Sequence, residues 1–196
     1  ALARKAGRPV RIALQVSEAF LTIHRHRAKV RIKTSVDREG RITARKATVW
    51  LDTGAYADNG PRVAEWAAIP AIGPYDIPNY QVDCYAVYTN QTPAGSFRAI
   101  GGPQAAWASE SQLDDIAEAL GMSPVTIRLR NLLDKGQRVR DGWRVLDADL
   151  KGDVRALVRD LNVPRPEHKD GWRTGTTAFG IACSIMAGGA VPVATA

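Results

Sequence analysis

The spacing of apolar residues changes once along this chain, at the Gly101-Gly102-Pro103 junction, and that change sets the fold class. Upstream, residues 28–36, 41–52 and 80–88 alternate apolar and polar side chains, the two-residue period of half-buried strands. Downstream, residues 104–120 place Ala106, Leu113, Ile116, Ala117 and Leu120 at helical spacing, opening after Pro103 and closing at Gly121. Asp37-Arg38-Glu39-Gly40 is a turn that joins the first two strands into an antiparallel hairpin. Residues 80–88 form a second, wider arm with Val82, Cys84, Ala86 and Tyr88 on one face. The expectation is an α+β fold, antiparallel hairpins and sheet followed by helices.

Other segments carry weaker signals. Residues 1–5 read as the last turns of a helix stopped by Gly7 and Pro9, residues 8–16 as a half-buried strand, and residues 17–20 as a short helical turn. The Ala-rich stretch from Gly60 to Gly73, with Trp66 at its middle, predicts a short helix that closes before Pro70. Ser123-Pro124 is an N-cap followed by a first-position proline, opening a helix over 125–133. Asp149 caps residues 150–161, where Val154, Leu157, Val158 and Leu161 make one stripe. Residues 168–171 read as a linker after Pro164 and Pro166, and residues 176–186 as one more strand. A start inside a helix and an end without a closing signal predict the middle of a longer subunit.

Composition bounds the function classes. No apolar run approaches the roughly 18 residues of a membrane span, and Ala1-Leu2-Ala3-Arg4-Lys5 is charged where a signal peptide needs its apolar stretch, so a cytoplasmic protein is expected. Cys84 and Cys183, the two cysteines, are too few and too far apart for a disulfide framework or a metal cluster, and read as buried free thiols. The net charge of +7 leaves a polyanion open as a partner. The segment from Arg25 to Arg31, with Lys33, is the strongest basic patch, but Phe20 is its one neighbouring ring, and a single-strand nucleic-acid binder needs more. A docking face for other protein explains that patch better than nucleic acid does. His24 and His26 would share one face of a strand, as a metal pair requires, yet no third ligand stands near, and they are read as part of the basic face. His168 lies in the polar linker and is expected to be exposed.

Residues 92–104, Thr-Pro-Ala-Gly-Ser-Phe-Arg-Ala-Ile-Gly-Gly-Pro-Gln, carry the clearest chemical signal. Glycines at a strand-to-helix junction leave backbone N–H groups free to approach an anion, with Arg98 as a fixed charge beside them. A structural cap with an outward-facing arginine is the alternative.

Several further motifs follow one another in a definite order: Gly7-Arg8-Pro9-Val10-Arg11, Asp52-Thr53-Gly54-Ala55-Tyr56, Tyr75-Asp76-Ile77-Pro78-Asn79 and Tyr88-Thr89-Asn90. Then come Phe97-Arg98 with Gly101-Gly102-Pro103-Gln104, Glu110, Ile116-Ala117 before Leu120-Gly121, and Arg128 before Arg130-Asn131-Leu132. In this order they resemble the molybdenum-binding subunit of the xanthine dehydrogenase and aldehyde oxidase family, clearly over residues 1–133 and loosely beyond.

The resemblance implies that the Phe-Arg loop passes beside molybdenum. Arg98 would contact the cofactor site, Phe97 and Ala99 would supply backbone near it, and Gly101, Gly102 and Gln104 would complete the loop. It also implies a cofactor of molybdenum–molybdopterin in its cytosine dinucleotide form, with iron–sulfur clusters and FAD on other segments or partner subunits. The family's general-base glutamate and its glycine-rich substrate loop would lie outside residues 1–196, so no catalytic residue and no metal ligand is assigned here. Residues 1–135 would be the central portion of the molybdopterin-binding domain, 136–172 a helix and linker, and 173–196 the start of a following strand region.

Departures from the family pattern narrow the substrate. Trp66 stands where purine-oxidising members place an arginine, and Ile100 where they place an aromatic residue, so both are assigned to a substrate pocket that does not suit xanthine. Ala99 replaces the cysteine of carbon monoxide dehydrogenases. What remains is oxidative hydroxylation of an aldehyde or N-heterocycle with water as the oxygen source, by a chain inactive alone and dependent on the rest of its subunit and on iron–sulfur and flavin partners. The alternative is a non-enzymatic basic module for a polyanion such as nucleic acid.

Overall fold

The computed structural model describes residues 1–140, 142, 145–163, 166–168 and 172–186. Its centre is a three-stranded sheet of β2 (Ala28–Val36), β3 (Ile42–Gly54) and β4 (Tyr80–Tyr88), in the order β2-β3-β4. β2 and β3 form the expected antiparallel hairpin through the Asp37–Gly40 turn, in register from Ala28 opposite Leu51 to Ser35 opposite Ala44. β4 joins β3 in parallel, with Val49 opposite Cys84, so the second arm is not a hairpin. The reason is the connection. A parallel neighbour needs a crossover of a dozen or more residues, and α3 (Gly60–Ile72) supplies one. The α+β class stands, with a mixed sheet.

One face of the sheet is closed by helices. Ala47, Val49 and Leu51 of β3 are fully buried against Val63, Ala64, Ala67 and Ala71 of α3. Alanines on that helix face let its axis approach the sheet closely. α4 (Gly102–Ala119) and α5 (Pro124–Asn131) carry the core onward through Leu113 and Val125 to Val154 and Val158 of α6 (Leu150–Asp160). Ser123 caps α5 by accepting from the Thr126 N–H, and Asp149 caps α6 by accepting from the Gly152 N–H, as their positions predict. In α6 Val154 and Val158 are buried, whereas Leu157 and Leu161 are about half exposed, so the expected stripe is half its width.

Three further expectations are corrected. α3 does not close before Pro70 but runs through it to Ile72. Pro70 stands two residues from the helix end, where the missing donor costs one bond, and its ring is fully buried with the Ala71 and Ile72 side chains. Between the short helices α1 (Leu2–Ala6) and α2 (Val16–Thr22), residues 8–15 are exposed and form no strand, since alternation becomes a strand only where an edge is present to pair with. Residues 176–186 hold only β7 (Thr177–Ala178), paired with β6 (Arg173–Thr174). Beyond it Phe179, Ile181, Cys183 and Ile185 still turn alternate side chains onto the core without a ladder. The linker expected at 168–171 lies outside the described residues except for His168, which is exposed.

Buried polar groups hold these layers together. Glu110 of α4 receives the Tyr75 hydroxyl at 2.6 Å, the Arg128 Nε at 2.8 Å and the Cys183 N–H at 2.9 Å. Arg128 also reaches Asp114 at 2.7 Å and the carbonyls of Pro124 and Glu110. Burial alone would lower the Arg128 pKa, but Tyr75, Glu110 and Asp114 outweigh it and raise it. Arg45 of β3 donates to the terminal carbonyls of α3 at Ala71 and Ile72, to Ser109 and to Thr34. A guanidinium there complements the negative end of the helix. Asn131 bonds the Ile42 N–H and the Gly40 carbonyl, and so clamps α5 to the hairpin turn. Asp52 accepts from Gly54 N–H and the Thr89 hydroxyl, which ties two motif segments together.

Candidate functional site

The loop singled out in the sequence leaves β5 (Ala94–Gly95), whose parallel partner is β1 (His24–Arg25). This pairing fixes the loop's first end, and Asn59, at the start of α3, bonds the Ser96 hydroxyl. Arg25 donates to the Arg98 carbonyl at 3.2 Å and lays its guanidinium over the Phe97 ring, 4.5 Å from the centroid. Phe97 is 62% exposed, so the cation covers one face of an otherwise solvated ring.

Two left-handed residues shape the turn. Ala99 has φ 61°, a conformation costing on the order of 1–2 kcal/mol in a residue with a Cβ. Gly101 has φ 71°, and a Cβ there would stand 2.3 Å from the Val63 carbonyl, so glycine is needed for α4 to start against α3. The Gly102 N–H donates to the Ala99 carbonyl at 2.9 Å. These buried glycines therefore answer to packing, and residues 96–100 line the open space in front of them. Gln104 donates from Nε2 to the His26 carbonyl at 3.0 Å, while its Oε1 is buried without a partner.

Trp66 and Ile100, distant in sequence, meet the loop at one open cavity of about 500 Å³. Phe97, Arg98 and Ala99 line it as well, together with Ser96, Arg62 and Met186. Gly101, Gly102 and Gln104 do not line it and support it from behind. Sequence reading missed Arg62 and Met186. Arg62 was detectable, because it stands four residues before Trp66 and thus on the same helix face. Met186 had no local signal, and reaches the site only because the chain returns past Gly102.

The histidines separate. His24 is half-buried, but His26 is 3% exposed and belongs to the interior rather than to a solvated basic face. Burial lowers its pKa below the usual 6.5. Cys84 and Cys183 are free and half-buried rather than fully buried, and burial pushes both thiols up to about 11. The basic strand also differs from expectation, since Arg31 lies over Trp50, 5.8 Å from its centroid, and Trp50 stacks on Tyr85 at 6.3 Å.

Among the described residues no group of three His, Cys, Asp or Glu side chains could hold a metal ion. The polar groups at the cavity are instead the Arg98 and Arg62 guanidiniums and the Ser96 hydroxyl, and of these Arg98, on the loop itself, suits an anionic oxygen of a cofactor that brings its own metal ligands. The unpartnered Gln104 Oε1 adds a buried acceptor behind the loop.

Comparison with known proteins identifies the family. The family described as "Molybdopterin cofactor-binding domain" matches residues 1–132. The chain is 41% identical over 132 residues to a probable xanthine dehydrogenase subunit of Bacillus subtilis (strain 168), covering 67% of this chain and 18% of that protein. It is 38% identical over 136 residues to the nicotinate dehydrogenase large molybdopterin subunit of Eubacterium barkeri, covering 69% of this chain and 32% of that one. Among solved structures it is similar to quinoline 2-oxidoreductase from Pseudomonas putida 86, with a TM-score of 0.67 and 27% identity over 82% of this chain and 21% of that one. It is also similar to aldehyde oxidoreductase from Desulfovibrio gigas, with a TM-score of 0.60 and 26% identity over 70% of this chain and 15% of that one. The chain thus spans a minor part of the length of these proteins. Its motifs, its fold and these matches place it in the molybdopterin cofactor-binding domain family, that of the molybdenum-binding large subunits of xanthine dehydrogenases and aldehyde oxidases.

Proposed function

We propose that this chain supplies the Phe97-Arg98 loop beside the molybdopterin cofactor of a molybdenum hydroxylase that converts an aldehyde or N-heterocycle, with water as the oxygen source. The observation that carries the reading is the cavity itself, where Arg98, with no ion pair among the described residues, faces the same space as Trp66 and Ile100. When bound, the cofactor supplies oxygen transfer to an electron-poor carbon and accepts its two electrons.

The chain's residues do the positioning. Arg98 would hold the cofactor's anionic oxygens with its permanent positive charge, and Ala99, held at φ 61°, turns the backbone beside it. Arg25 fixes the Phe97 ring, and Gly101, Gly102 and Gln104 hold the loop between α3 and α4. Trp66 and Ile100 give the substrate an apolar wall. Trp66 in place of an arginine and Ile100 in place of an aromatic ring disfavour xanthine, and Ala99 in place of a cysteine disfavours carbon monoxide.

The rest of the reading concerns the whole enzyme. The general base comes from another part of the subunit, the cofactor is the cytosine dinucleotide form, and electrons leave through iron–sulfur and FAD centres on partner subunits in a cytoplasmic complex. Residues 1–135 form the cofactor-domain portion, with 136–172 and 173–196 as its continuation. Several relatives are named as subunits, among them the gamma subunit of a 6-hydroxypseudooxynicotine dehydrogenase complex in Paenarthrobacter nicotinovorans, which supports the partner arrangement. The test is Arg98→Ala in the complete enzyme. A loss on the order of 10²-fold in kcat, or a lowered molybdenum content, is expected. Wild-type values for both would overturn the assignment.

A second reading, a basic module for a polyanion, gains from the Trp50–Tyr85 stack beside Arg31 on the open sheet face. Binding of single-stranded nucleic acid that weakens steeply between about 50 and 200 mM salt would favour it.

A further inference from the structure

Resting on the reading of this cavity as the substrate pocket, we propose that Arg62 makes it selective for a planar aromatic anion, a carboxylate carried on an aromatic or N-heteroaromatic ring. Arg62 and Trp66 lie four residues apart on α3, one turn apart on one face, and both line the cavity. The helix therefore presents a guanidinium and an indole side by side. A ring stacked on the indole carries its substituent within reach of that guanidinium.

The charge balance of the cavity points the same way. Two guanidiniums, Arg62 and Arg98, line it, and no Asp or Glu does. Neither arginine forms an ion pair among the described residues, although the exposed Glu65 follows Arg62 on the same helix. This contrasts with the interior, where Arg128 is paired to Glu110 and Asp114. An unpaired arginine over an apolar wall of Trp66, Ile100 and Met186 favours a ligand that supplies both the ring and the negative charge. Met186 adapts to rings of different outline, so selection rests on charge more than on shape.

The anion that meets Arg62 has two sources, a substrate carboxylate or an anionic oxygen of the cofactor, and the experiment separates them. Nicotinate and its neutral counterpart nicotinamide are titrated into the full chain while the Trp66 indole signal is followed by NMR. A preference for nicotinate of about tenfold or more is expected, falling below about threefold in Arg62→Gln, with an unchanged melting temperature. The same substitution in the complete enzyme should leave molybdenum content at the wild-type level. Equal affinity of the wild-type chain for the two probes overturns the proposal, as does a preference that survives Arg62→Gln. Loss of molybdenum in Arg62→Gln with the nicotinate preference intact assigns Arg62 to the cofactor and also overturns it. If Arg98→Ala leaves the complete enzyme unaffected while Arg62→Gln abolishes the preference, the hydroxylase reading fails and anion selection is upheld.

Discussion

Two pairs of arginines in this molecule have opposite surroundings. Arg45 and Arg128 are fully buried, and each is bonded by carbonyls, hydroxyls or carboxylates on several elements. Arg62 and Arg98 sit at an open cavity with no ion pair among the described residues. A buried guanidinium is tolerated only when its neighbours replace water, so its partners are fixed by the fold. A surface guanidinium is satisfied by solvent and remains available to a ligand. The motif residues divide in the same way: Glu110, Arg128, Asn131, Tyr75 and Asp52 bond to one another or to backbone, while Phe97 and Arg98 face outward. Most of what marks the family in this chain is framework, and the short loop of Phe97 and Arg98 is the part left facing the open cavity.

The largest effect should come from breaking the buried side of this contrast. Glu110→Ala leaves Arg128 in the core with Asp114 as its remaining carboxylate and removes the acceptor of Tyr75 and of the Cys183 N–H, so a loss of about 3 kcal/mol in urea unfolding is expected. Arg98→Ala should shift the same measurement by less than about 0.5 kcal/mol. Equal losses for the two would dissolve the distinction. Gly101→Ala lies between them, because a side chain at φ 71° also meets the Val63 carbonyl. A loss on the order of 2 kcal/mol by thermal unfolding is expected, together with a displaced loop.

The smallest effect sharpens the boundary between interior and site. Burial lowers the His26 pKa, so the unfolded chain binds the proton more tightly than the folded one. The His26 contribution is therefore fully present above about pH 6.5 and is lost as pH falls from there toward the lower folded value. Unfolding free energies compared at neutral and mildly acidic pH should show this decline, and His26→Gln should flatten it. An unaltered slope in that variant would place the titrating group elsewhere.

Much of the frame was legible in the sequence because local rules govern it. The hairpin turn, the Ser123 and Asp149 caps and the helix after the Gly101-Gly102-Pro103 junction follow from turn residues, caps and period. The misses share one cause, which is that each depended on a partner distant in the chain. Strand pattern at 8–15 found no edge, Pro70 was kept helical by burial, and β4 was made parallel by the α3 crossover. At the cavity, Phe97, Arg98, Ile100 and Trp66 stand out in the sequence, whereas Arg62 shows only through its helical spacing to Trp66 and nothing near Met186 in sequence announces its return to Gly102.

By itself the sequence determined the α+β class, the loop that carries Arg98, and membership of a molybdenum-enzyme family through motifs in a fixed order. The tertiary structure decided which arginines are consumed by the core and which face the open cavity, because pairing depends on distances between elements far apart in the chain. It also decided that Arg62 joins Trp66 and Ile100 at one cavity, since only the packing of α3 against the start of α4 brings those residues into the same space.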